Sequence, residues 1–167
     1  MMKVNQILVT KMATSEQINH CLVETYKHVG LVQGYLNGFA KDLIERGEVH
    51  DATKFEEPEL SGFAEMTPLL KDTKYGTPEY KELLLELGTT IDHHYANNRH
   101  HPEHWPNGVE DMTLIDLLEM LADWKAATAR NQNGNIRKSI ELNGEKFNIS
   151  AQLRQIMENT VREYFTE

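Results

Sequence analysis

Residues 111–124 read Asp111-Met112-Thr113-Leu114-Ile115-Asp116-Leu117-Leu118-Glu119-Met120-Leu121-Ala122-Asp123-Trp124. Apolar residues recur here at helical offsets, which predicts a helix starting at Asp111-Met112-Thr113 and continuing to about Arg130. Its circumference is apolar nearly all round, the mark of a central, buried helix. Asp116, Glu119 and Asp123 interrupt that surface within an arc of roughly 60°. A buried carboxylate needs a cationic side chain or a metal ion beside it. This one stretch therefore speaks to both fold and chemistry.

Working outward, the same period recurs. Thr14-Ser15-Glu16-Gln17 supplies a cap, and Ile18, Leu22, Tyr26, Val29, Val32, Leu36, Phe39 and Leu43 follow at helical spacing, with Gly47 as a stop. Gly30, Gly34 and Gly38 weaken that helix. A second helix is expected from near Thr53 to just before Pro68, and a third from Thr77-Pro78-Glu79 to about Tyr95. Pro102 and Pro106 make residues 97–108 a loop. Gly134 and Gly144 suggest a short hairpin over Ile136–Phe147, and an amphipathic helix closes the chain over Ala151–Tyr164. No period-two alternation lasts long enough for a sheet. The expectation is an all-α fold, a single-domain bundle of about five to six helices over residues 1–167.

Composition narrows the function. With 167 residues, 40% hydrophobic and 26% charged, the chain reads as an ordinary soluble globular protein. Its net charge of -9, with scattered Lys and Arg, argues against general nucleic-acid binding. No stretch approaches the ~20 apolar residues of a membrane span. One cysteine, Cys21, excludes an internal disulfide framework, and no early segment reads as a secretion signal, so a cytoplasmic protein is expected.

The histidines are the sharpest signal. Of eight, six fall in His50-Asp51 and in the run holding His93, His94, His100, His101 and His104. Adjacent imidazole and carboxylate can bind one divalent ion, with the aspartate free to bridge to a second. Lys54, three residues after Asp51, is placed to meet a phosphoryl oxygen, and Arg99 is a second such cation. His93 and His94 point ~100° apart on a helix and cannot serve one ion, whereas His94 and His101 share a face if a break brings them closer. Glu-x-x-His and His-Glu-x-x-His are both absent, which excludes the carboxylate-bundle di-iron and zincin patterns. With one cysteine, a cysteine-ligated structural zinc site is excluded as well.

These residues together resemble the HD-domain superfamily of metal-dependent phosphohydrolases. The elements are an upstream His28, the pair His50-Asp51, His94 with His101, and a distant Asp123. More narrowly, His-Asp-x-x-Lys-Phe followed by His-His-Tyr-x-x-Asn-x-His-His-Pro-Glu-His looks like a small HD-like family of bacteria and phages. The resemblance covers residues 28–130 and implies an HD-like helical domain with His28, His50, Asp51, His94, His101 and Asp123 as metal ligands. His28 and His50 would lie about 33 Å apart on one continuous helix. Either the chain reverses near Gly34–Gly38 or His28 is not a ligand.

The resemblance implies hydrolysis of a phosphate ester, a nucleotide foremost, with one or two divalent ions among Mn, Co, Ni, Mg, Zn and Fe. Asp51, Lys54 and Glu119 are the expected catalytic residues, and Lys54, Arg99 and His100 the substrate-binding ones. His93, His100 and His104 are read as supporting or substrate-side residues. The expected partner is a small phosphorylated substrate, with no general nucleic-acid binding and no membrane; homo-oligomerisation stays open. Two rival readings remain, a helical protein with a structural metal and an HD-type di-iron oxygenase.

Overall fold

The computed structural model describes residues 13–73, 77–130 and 134–165. Seven α-helices and no strand occur among them, so the all-α expectation holds. They are α1 (Ser15–Val49), α2 (Glu59–Asp72), α3 (Pro78–Glu86), α4 (Thr89–Asn97), α5 (Leu114–Thr128), α6 (Ile136–Lys146) and α7 (Ala151–Tyr164). Three 3₁₀ turns, Ala52–Phe55, Pro102–His104 and Gly108–Asp111, join them at the points that matter for the site. Where the sequence suggests one domain, contacts within the chain divide it into two units, Met1–Lys41 and Asp42–Glu167.

The caps fall where the sequence puts them. Thr14 and Gln17 exchange hydrogen bonds at the start of α1. Thr77 accepts from the Tyr80 amide with Pro78 in the first turn of α3. At α5, Thr113 accepts from the Asp116 amide while the Asp116 carboxylate accepts from the Thr113 amide, a reciprocal capping box. α7 occupies the expected span, opened by Ser150.

Four boundaries differ from expectation. α1 passes Gly47 and ends at Val49. α2 begins later than Thr53 and runs through Pro68, while residues 52–55 form a separate 3₁₀ turn. The long third helix is two, because Gly88 takes φ +43° and turns the chain between α3 and α4. The Ile136–Phe147 segment is a helix, not a hairpin, with Ile136, Ile140, Asn143 and Gly144 forming one buried stripe. Gly144 is there for closeness rather than for a turn: a Cβ would meet the Arg154 side chain at 2.5 Å.

In the second unit, α5, α6 and α7 enclose a core of Met120, Leu121, Ile136, Ile140, Ile149, Met157 and Val161. α5 is less enclosed than its sequence suggests, since Leu114 and Leu118 are exposed. One of its faces meets this core; another carries Asp116, Glu119 and Asp123. In the first unit, α1 as far as Lys41 has no buried residue.

Candidate metal centre

Three short segments build the site. α1 ends at Val49 and delivers His50; Asp51 then takes the left-handed conformation (φ 55°, ψ 23°), which Asp tolerates better than most residues, and the 3₁₀ turn with Lys54 follows. α4 supplies His93 and His94, and the loop after it supplies His100 and His101. Asn98 ties these segments together, donating to the His94 carbonyl (2.8 Å) and to Thr53 Oγ1 (2.9 Å). α5 adds Glu119 and Asp123.

Asp51 is the hub. Its Oδ1 lies 3.5 Å from His94 Nε2 and 3.5 Å from His100 Nε2, and its Oδ2 lies 3.6 Å from His50 Nε2. His94 and His101 face each other with Nε2 atoms 2.9 Å apart. Asp123 Oδ1 stands 3.7 Å from His50 Nε2. Ligand atoms of Asp51, His94, His100 and His101 thus converge within 4.8 Å of one another, as do those of His50, Asp51 and Asp123. Asp51 belongs to both groups, as a bridging aspartate would.

The imidazoles are oriented from behind. Glu119 Oε1 lies 2.9 Å from His50 Nδ1 and 3.2 Å from His100 Nδ1, and its Oε2 takes a hydrogen bond from Arg46. Glu59, fully buried, stands 2.8 Å from His94 Nδ1 and 2.7 Å from His93 Nδ1. For His50, His94 and His100 this network assigns a proton to Nδ1 and turns Nε2 toward Asp51. His50, His100 and Glu119 also form a convergent group. Because their contacts run through Nδ1 and the carboxylate, we read Glu119 as the acceptor that orients two imidazoles.

Electrostatics agree. His50, facing the carboxylates of Asp123 and Glu119, is pushed up to about 10. His101 is pushed down to about 3, first by burial and then by His100 and His94, and burial with the Lys54 charge also lowers His94. Burial alone would raise the carboxylates; Lys54 instead holds Asp51 low, and His100, His50 and Arg46 hold Glu119 low. The result is anionic carboxylates, a His50 held in its charged form by them, and His94 and His101 held neutral.

A cation fits this donor set. Among the described residues, the buried side-chain polar atoms lacking a hydrogen-bond partner are Asp51 Oδ1 and His100 Nε2, both within the first group. Buried polar groups are nearly always satisfied, and a cation between these two atoms, 3.5 Å apart, would satisfy both. A set of imidazole nitrogens and carboxylate oxygens without sulfur suits a hard or borderline divalent metal.

Several expected roles shift. His100 is 2% exposed and joins the ligand cluster, where a substrate contact was expected. His28 lies mid-way along an uninterrupted α1, so the reversal near Gly34–Gly38 does not occur; it joins none of the convergent groups among the described residues. Asp116 is met by Arg46 and Arg99, and Arg99 also stacks 4.9 Å over Trp105. Lys54 pairs with Asp51 at 2.6 Å. His104 bonds the Tyr95 carbonyl and His93 bonds Glu59. The sequence reading missed Glu59 and Arg46 altogether.

Fold and site together define an all-α protein with a buried histidine–carboxylate centre able to hold metal. The chain belongs to DUF5662, a family of unknown function whose model matches residues 17–163. No curated protein and no solved structure matches it. No helix among the described residues is long and apolar enough to cross a membrane.

Proposed function

We propose that this protein is a metal-dependent phosphohydrolase acting on phosphate esters, with nucleotides as its substrate class. One observation carries the reading: two ligand groups share Asp51, and the group holding His50 and Asp123 is the more exposed one. A site that keeps an accessible position suits turnover better than a closed structural one. His50, Asp51, His94, His100, His101 and Asp123 would hold one or two divalent ions. Such ions supply an activated water and neutralise charge on phosphoryl oxygens.

The protein's own groups do the rest. Asp51 and Asp123, kept anionic, hold the negative charge the centre requires. Glu119 and Glu59 fix the tautomers of His50, His100 and His94. Lys54, a third exposed at the rim, presents its ammonium to a phosphoryl oxygen. Arg46 holds Glu119 in place and keeps it an acceptor.

The test is a screen of purified protein, loaded with Mn²⁺, Co²⁺, Ni²⁺ or Mg²⁺, against a nucleotide panel and a chromogenic phosphodiester. Metal-dependent release of phosphate or nucleoside is expected, and Asp51→Ala abolishes it while the helical circular dichroism persists. No turnover under any metal, or full turnover by Asp51→Ala, refutes the reading.

A further inference from the structure

α1 carries a second message, independent of the metal centre. Ile18, Leu22, Thr25, Val29, Val32, Leu36 and Phe39 follow one another at alternating steps of four and three residues. That is the seam of a helix made to pack lengthwise against another. Every residue of α1 from Ser15 to Asp42 is exposed in the single chain. Bare helices are marginal in water, and this one also holds Gly30, Gly34 and Gly38 in its interior, with nothing within 4 Å of where their Cβ atoms would lie. Packing must supply what the sequence withholds.

The area says how large the cover is. Ile18, Leu22, Val29, Val32, Leu36 and Phe39 are 39–58% exposed, and the flanking Tyr26 and Tyr35 are 75% and 66% exposed. Together they present on the order of 900 Å², beyond the ~300–600 Å² patch of a typical monomer and on the scale of the ~800 Å² each partner of a stable complex buries.

The charges say what the cover is. Between Ile18 and Ala40 the charged residues are Glu24 and Lys27, and these pair with each other at 2.8 Å off the seam. The positions flanking the seam, Asn19, Cys21, Tyr26, His28, Gln33, Tyr35 and Ala40, hold no Asp, Glu, Lys or Arg. Flanking charges are what select a foreign helix or repel a like one. An anionic membrane surface would call for a basic stripe, which this helix lacks in a chain of net charge -9. A second copy meets no repulsion along the seam.

We propose that α1 is a self-association surface and that its occupant is the α1 of a second copy of this chain. The metal-loaded full chain, measured by light scattering after size exclusion and by sedimentation over a range of micromolar concentrations, is expected to run at a multiple of its 19.2 kDa mass. The double variant Val29→Glu/Leu36→Glu is expected to run as a monomer with unchanged Mn²⁺ stoichiometry, which also shows that the second unit remains folded. A monomeric wild-type chain overturns the proposal, whether it stays free or co-sediments with phosphatidylcholine–phosphatidylglycerol vesicles. An oligomer that survives the double substitution overturns it too. Loss of phosphohydrolase activity bears on the metal centre and leaves this outcome untouched.

Discussion

Two charged clusters share the polar face of α5, one turn apart, and they are built oppositely. Around Asp116 every acceptor is met: Arg46 at 2.6 Å, Arg99 at 3.1 and 3.2 Å, the Thr113 hydroxyl at 2.7 Å and its amide at 2.8 Å. Around Asp51, Oδ1 and His100 Nε2 are buried and bare. A closed cluster is scaffold: it pins α5 to α1 and to the loop holding His100. An open cluster is one that could take a cation from outside. Glu119 touches both, through Arg46 on one side and His50 and His100 on the other.

The widest gap between the clusters should appear with Asp51→Ala. Removing the shared ligand is expected to lower metal-dependent turnover by at least about 10³-fold with little change in thermal unfolding of the metal-free protein. Asp116→Ala should do the reverse, costing about 3 kcal/mol in urea unfolding by removing the buried carboxylate that Arg99 faces and that Arg46 shares with Glu119 and Asp42. That figure is the low end of the range for buried pairs, because Arg99 is half exposed. Equal effects of both variants on stability would erase the distinction.

Glu59→Gln sharpens it further. The carboxylate touches no candidate ion position and acts through His94, so a loss of about 10–100-fold in Mn²⁺ affinity is expected in titration calorimetry, with the helical signal intact. The mildest effect is on acid stability. Burial alone would raise Asp116, but Arg99, Thr113 and Arg46 hold it well below the carboxylate range. Its contribution is therefore complete above the unfolded value of about 3.9 and is lost as pH falls toward the folded one. Asp116→Asn should flatten the fall in stability of the metal-free protein below about pH 4. An unchanged acid limb would show that the carboxylate charge is not what the cluster contributes.

Much of this was legible in the chain. The caps at Thr14, Thr77 and Thr113 are local chemistry, and the structure places each of them. His50, Asp51, His94, His101 and Asp123 converge because the sequence already concentrates such groups in short stretches. Glu59 gave no signal, since a lone glutamate after a proline looks like any solvated residue until α2 packs against α4. The burial of His100 among the other histidines was not legible, because its direction depends on an extended Asn98 and a turn that periodicity does not encode. The hairpin over residues 136–147 failed for a related reason: two glycines weighed as turn formers, when one of them makes room for Arg154.

The sequence by itself determined the helical class, most of the caps and the chemical kinds of group at the centre. Side-chain period and donor chemistry are properties of neighbours along the chain. Only the tertiary structure decided which carboxylate would be closed by arginines and which left open. Asp116 lies on α5 and Asp51 in the turn after α1, and the arginines that close the first arrive from α1 and the loop after α4, while the second keeps a bare oxygen. Long-range packing, not local pattern, separates scaffold from site.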